Sequence, residues 1–124
     1  MEKFADLQYV RPDMEKVFAR VSGDIAALKE AKSYEEFKNA YMDFVEADTE
    51  LETAKTVAHI RNTINLLDSF YEGEMAYFNS QMPKYEILKK EMGEVIVASP
   101  FKAEMEKEFG AILIQNMEAQ KQLS

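Results

Sequence analysis

The chain has 124 residues, with 15 Lys and Arg against 23 Asp and Glu, one His and no Cys, for a formal net charge of −8. The missing thiols exclude disulfides, thiolate metal sites and cysteine nucleophiles, and the lone histidine excludes any site needing two imidazoles from this chain. So acidic a balance lacks the clustered positive surface that a phosphate backbone requires, and no nucleic acid is expected as a partner.

At 47% hydrophobic and 31% charged, with four Gly and three Pro, the sequence predicts a single helix-rich domain over residues 1–124. Arg11-Pro12-Asp13 leads into the first helix, with Asp13 as its cap or first-turn charge. Met14, Val17, Phe18, Val21, Ile25 and Leu28 then recur at spacings of three and four, one apolar helical stripe. Gly23 interrupts it or marks a bend. Ser33-Tyr34-Glu35-Glu36 reads as a capping box opening a second helix, whose apolar face is Phe37, Tyr41, Phe44 and Val45. Asp48 and Thr49 are weak helix formers, so this helix either breaks there or runs on.

The third stripe is Leu51, Ala54, Val57, Ala58, Ile60, Ile64 and Leu67, with Asp68-Ser69 offering the next cap or kink. A longer pattern follows in Tyr71, Met75, Phe78, Met82, Tyr85, Leu88, Met92 and Val95, interrupted at Pro83. Ser99-Pro100 suggests a Ser N-cap with Pro at the first helical position. The last helix carries Phe101, Met105, Phe109, Ile112, Leu113 and Met117, with a bend at Gly110. Nothing alternates with period two over a useful length. The predicted fold is all-α: an antiparallel array of about five helices, the longest near residues 69–97 and kinked or split at Pro83.

The N-terminus carries Glu2, Lys3 and Asp6 and lacks the apolar core of a signal peptide. The longest apolar runs, such as Val95–Ala98, fall far short of the roughly 20 residues that span a bilayer. No membrane partner and a cytoplasmic location are the expectations.

Chemistry-bearing motifs are scarce. His59-Ile60-Arg61-Asn62-Thr63 fails the H-E-x-x-H pattern of zinc peptidases, and Thr56 stands where a Glu-x-x-His pair would need its Glu. The chain alone therefore offers no catalytic residue, no metal ligand and no cofactor site. His59 reads as a partly buried helix residue bonded to a neighbouring carboxylate or carbonyl, or as one donor to a larger site. Arg61 either anchors a charged network across helices or is solvated. Glu46, Asp48, Glu50 and Glu52 alternate, so they fan around the helix instead of converging on an ion. Phe70, Tyr71, Tyr77, Phe78 and Tyr85 fall within 16 positions. Their helical spacing suits core packing, yet the adjacent pairs broaden the apolar surface beyond one stripe. The candidate partner or substrate-channel surface is accordingly His59, Arg61, Phe70, Tyr71, Tyr77 and Phe78.

The ordered set Val57-Ala58-His59-Ile60-Arg61-Asn62-Thr63-Ile64, Asp68-Ser69-Phe70-Tyr71-Glu72-Gly73-Glu74 and Tyr77-Phe78-Asn79 resembles the N-terminal region of M3-family oligoendopeptidases. These are the oligoendopeptidase F-like zinc metallopeptidases. Tyr9-Val10-Arg11-Pro12-Asp13 and Ala98-Ser99-Pro100-Phe101 with Glu104-Met105-Glu106 look like the same family's flanking motifs. The resemblance implies a non-catalytic helical domain that helps wall or lid the peptide channel of a metalloendopeptidase. Zinc and the catalytic H-E-x-x-H are then expected in a catalytic remainder outside this chain. That remainder and an oligopeptide substrate are the implied partners. As an isolated fragment the chain is expected to self-associate through apolar surface around residues 70–85. The alternative is a stand-alone helical interaction module with no peptidase role.

Overall fold

The computed structural model describes residues 9–64 and 69–122, and the expected cap at Asp68 and the stripe position at Leu67 lie outside them. Short side chains set the first two helix starts. Asp13 caps α1 (Met14–Glu30), accepting from the Lys16 amide at 3.3 Å. Ser33 Oγ accepts from the Glu36 amide at 3.2 Å ahead of α2 (Tyr34–Ile64), and Glu36 Oε2 reaches back to the Lys32 amide at 2.7 Å. The box therefore closes one residue earlier than its usual form, on Lys32 rather than Ser33. Gly23 neither breaks nor ends α1.

The remaining elements are α3 (Ser69–Ala98), α4 (Lys102–Phe109) and α5 (Ala111–Gln122). Five helices are present among the described residues, as the periodicity predicts, but two boundaries move. The second and third stripes belong to one 31-residue helix, α2, marginally longer than the 30 residues of α3. Asp48 does not compete for the backbone because its carboxylate accepts the Tyr85 hydroxyl at 2.6 Å, while Ala47 and Leu51 on either side are buried. Tertiary contacts override the weak local propensity.

Pro83 sits inside α3 without splitting it, so packing outweighs the hydrogen bond its nitrogen cannot give. The Ser99-Pro100 signal marks a turn and not a helix start. Ser99 Oγ donates to the Ile96 carbonyl and accepts from the Phe101 amide, and α4 begins at Lys102. The last stripe is divided at Gly110, whose φ of 101° and ψ of 149° lie in a region that only glycine adopts readily. That break rephases α5: Ile114 is buried, and Ile112, expected on the apolar face, is 73% exposed.

Cross-helix contacts fix the directions. Arg20 meets Asp43, so α1 and α2 run antiparallel through their three-residue connection. Phe37 packs on Phe101 at one end and Arg61 bonds Tyr71 at the other, making α2 and α3 antiparallel as well. α1, α2 and α3 pack against one another, and α5 lies on α3. The core takes Met14, Phe18, Val21, Ile25 and Leu28 from α1, with Phe37, Phe44, Leu51 and Ala58 from α2. Phe78, Tyr85, Met92 and Ile96 join it from α3, Met105 from α4 and Ile114 from α5. No strand occurs among the described residues, and none of their helices is long and apolar enough to cross a membrane.

Two exposed glycines, Gly23 and Gly110, should respond oppositely to alanine. Gly23→Ala, within α1 and with open space around its Cβ position, is expected to stabilise the chain by about 0.5–1 kcal/mol. Gly110→Ala is expected to cost about 1–3 kcal/mol through backbone strain. Urea unfolding of both variants measures the contrast.

Candidate functional site

A carboxylate stands in the apolar stripe of α3. Glu74, three residues after Tyr71 and four before Phe78, is only 2% exposed. So buried a charge needs donors that water cannot supply. They come from the extended segment before α1. Arg11 Nε donates to Glu74 Oε1 and Oε2 at 3.0 and 3.2 Å, Arg11 Nη2 donates to Oε2, and the Tyr9 hydroxyl donates to Oε1 at 2.7 Å. These bonds, the Arg11 pair foremost, hold the Glu74 carboxyl below its ordinary value of 4.5. Burial, reinforced by donation to Glu74, raises the Tyr9 hydroxyl well above its usual range. The Glu74 bond also raises the Arg11 guanidinium.

Aromatic rings complete the clamp. The Arg11 guanidinium lies 4.1 Å from the Tyr77 ring centroid. Tyr9 meets Phe70 and Tyr71 edge-on, at 6.3 and 5.7 Å between centroids, and Phe70 and Tyr71 stand 4.9 Å apart. Arg61 Nη1 donates to the Tyr71 hydroxyl at 3.1 Å, tying the last turn of α2 to the first turn of α3. Two hollows of about 340 and 330 Å³ flank Val10 along α2, both lined by Val10, Glu50 and Ala54.

Of the six residues singled out from the sequence, the structure gathers Arg61, Phe70, Tyr71 and Tyr77 around Tyr9 and Arg11. Phe78 is not among them: at 1% exposure it is a core residue, because the Tyr77-Phe78 pair divides between two faces of α3. His59 is exposed on α2, contrary to the partly buried residue expected. Its backbone carbonyl accepts from Thr63 Oγ1, and its ring has no hydrogen-bond partner among the described residues. Arg61 takes the cross-helix role through the Tyr71 hydroxyl. Tyr9, Arg11 and Glu74 did not stand out as site residues. The available signal was Glu74's place inside an apolar stripe, which demands a buried partner.

Tyr71 and Tyr77 are half-buried beneath the segment, leaving Phe70, at 55%, as the exposed ring of this group. The second apolar face of α3, the ground for expecting self-association, is thus largely covered from within the chain. The cluster holds a cation, a carboxylate and phenols but no paired nucleophile and base. No group of three or more His, Asp or Glu suited to a metal occurs among the described residues.

The family described as Peptidase M3 N-terminal domain matches residues 4–124. Solved structures agree with the whole fold. PZ peptidase A with an inhibitor superposes with a TM-score of 0.91 at 28% identity, covering 95% of this chain and 21% of that one. A structure described as oligoendopeptidase F gives 0.92 at 29%, covering 97% and 21%. An oligoendopeptidase F from Bacillus anthracis str. Ames gives 0.91 at 24%, covering 97% and 22%, and supports the fold alone. This chain therefore spans about a fifth of the length of the peptidases it resembles. No curated protein matches it in sequence.

Glu74→Gln should lower stability at neutral pH by about 1–3 kcal/mol, the range for a disrupted buried hydrogen-bonded group. A carboxyl whose folded pKa is depressed contributes stability that is present above the unfolded value and lost as pH falls through the folded one. The gap between parent and variant should therefore shrink below pH 4.5. Urea unfolding across pH 3–8 checks both the size and the sign.

Proposed function

The chain belongs to the peptidase M3 N-terminal domain family, and we propose that it serves as the non-catalytic helical domain of an oligopeptide-cleaving zinc metallopeptidase, forming part of the channel wall or lid. The observation that carries this reading is the whole-fold likeness at TM-scores of 0.91 and 0.92 to about a fifth of two peptidases 28 and 29% identical. A segment of that size in a larger enzyme contributes shape and contact surface, and the residues here fit such work. Arg61, Phe70 and Tyr71 form a joint between α2 and α3 whose rings and guanidinium can contact a peptide backbone or an apolar side chain.

M3 peptidases are zinc-dependent, and this chain's donor set does not fit the metal. Its single histidine lies in His59-Ile60-Arg61-Asn62-Thr63, and the described residues bring no third donor together with any pair. Zinc, the nucleophilic water and the general base belong, in this reading, to the rest of the peptidase. The domain's part is to position the substrate and restrict what reaches the metal.

A chimera tests the proposal, with this chain replacing the N-terminal fifth of an oligoendopeptidase F. A short quenched-fluorescence peptide should still be cleaved. Phe70→Ala combined with Arg61→Ala should raise KM about fivefold, the equivalent of about 1 kcal/mol of lost binding, with little change in kcat. An unchanged KM together with an unchanged preference for peptide length would contradict a channel-wall role.

A further inference from the structure

Asp24 lies on α1 in the turn between the buried Val21 and Leu28, and is itself only 8% exposed. Its Oδ2 has no hydrogen-bond partner among the described residues. The Asp24 carboxyl lies beside that of Asp43 on α2. An ionised carboxylate only accepts, so two such neighbours need a proton on one of them to hydrogen-bond to each other.

The surrounding charges do not remove that need. Arg20, one turn before Asp24, directs Nε and Nη2 to Asp43 at 3.1 and 2.9 Å. Its Nη1 bonds Glu50 at 3.3 Å, and Glu46 lies 3.8 Å from Nη2. One guanidinium thus serves three carboxylates already, with Asp24 as a fourth acid beside them. From α3, Lys84 sits over the Phe18 ring at 4.7 Å and Glu91 pairs with Lys29 at 3.5 Å. The charges acting on Asp24 are those of Asp43 and Arg20.

We propose that Asp24 and Asp43 hold one proton between them near neutral pH, making the α1–α2 joint a pH-sensitive contact that weakens as the solution turns alkaline. Losing the proton leaves two carboxylates side by side, one of them buried without a donor, and their repulsion pushes α1 from α2. Burial, reinforced by the neighbouring Asp43 carboxyl, raises the Asp24 carboxyl to about 7. Arg20 holds Asp43 below the ordinary carboxylate range, which identifies Asp24 as the proton's main carrier. The fold binds this proton more tightly than the unfolded chain does, where the value is 3.8. Its stabilising contribution is therefore full below the unfolded value, declines as pH rises toward 7, and is gone above it. Arg20 and Glu50 also line the larger hollow beside Val10, so the joint controlled by the proton forms one wall of that hollow.

Carboxyl carbon NMR across pH 3–9 on the 124-residue chain tests the pair directly. Asp24 should titrate near 7 and Asp43 below the ordinary range. Both titrating below 5 would overturn the proposal. Asp24→Asn keeps a donor for Asp43 and removes the charge. Its melting temperature should exceed the parent's by about 4 °C or more at pH 8, with the advantage fading toward pH 4. A difference independent of pH would also overturn it. Should the variant fail to fold, titration of the parent decides the matter alone.

Discussion

Glu74 constrains the chain more than any other single residue. An ionised carboxyl at 2% exposure has exchanged its hydration for a fixed set of donors, and those donors lie more than sixty residues earlier, in Tyr9 and Arg11. Because Arg11 is itself half exposed, the Coulomb attraction is partly screened and is the smaller part of the matter. The larger part is the cost of leaving Glu74 without partners, which holds the extended segment against α3. Once there, the segment stacks Arg11 on Tyr77 and Tyr9 on Tyr71, and it covers a face of α3 that would otherwise be bare. The segment also lines the hollows flanking Val10.

The rest of the architecture gives this clamp a firm base. α2 and α3 are both about thirty residues long, far longer than isolated helices need to persist, and they are fastened to each other along their length. Phe37 with Phe101, Asp48 with Tyr85 and Arg61 with Tyr71 mark three levels of the same antiparallel contact. Each polar level is a hydrogen bond to a phenol, which can sit among apolar neighbours at lower desolvation cost than an ion pair. The polar groups of this contact are committed to one another.

Much of the fold was legible in the sequence because helical periodicity reports burial directly. The stripe Met14, Phe18, Val21, Ile25 and Leu28 is the buried face of α1, and the Asp13 and Ser33 caps are where short polar side chains predicted them. Where local signals leave a break open, long-range packing decides at two places. Propensity at Asp48 and chemistry at Pro83 both argue for interruption, and long-range packing overrides each. At Gly110 a local conformation divides what the stripe alone would join. The site was less legible still. Arg61, Phe70, Tyr71 and Tyr77 do converge, but the donors of Glu74, which organises them, lie more than sixty residues away in sequence. Glu74 and Asp24 are both acids set within apolar stripes, and in each case the departure from the pattern, more than the pattern, marks a buried electrostatic device.

Arg11 and Glu74 couple the extended segment directly to α3, and a double-mutant cycle on the pair measures that coupling. Arg11→Met, Glu74→Gln and the double variant would be compared with the parent by urea unfolding at pH 7. Coupling through a shared buried carboxylate predicts an interaction energy of about 1–3 kcal/mol, with the double variant far less destabilised than the two single changes added together. Additive effects, with an interaction below about 0.5 kcal/mol, would contradict the clamp and the surface built on it.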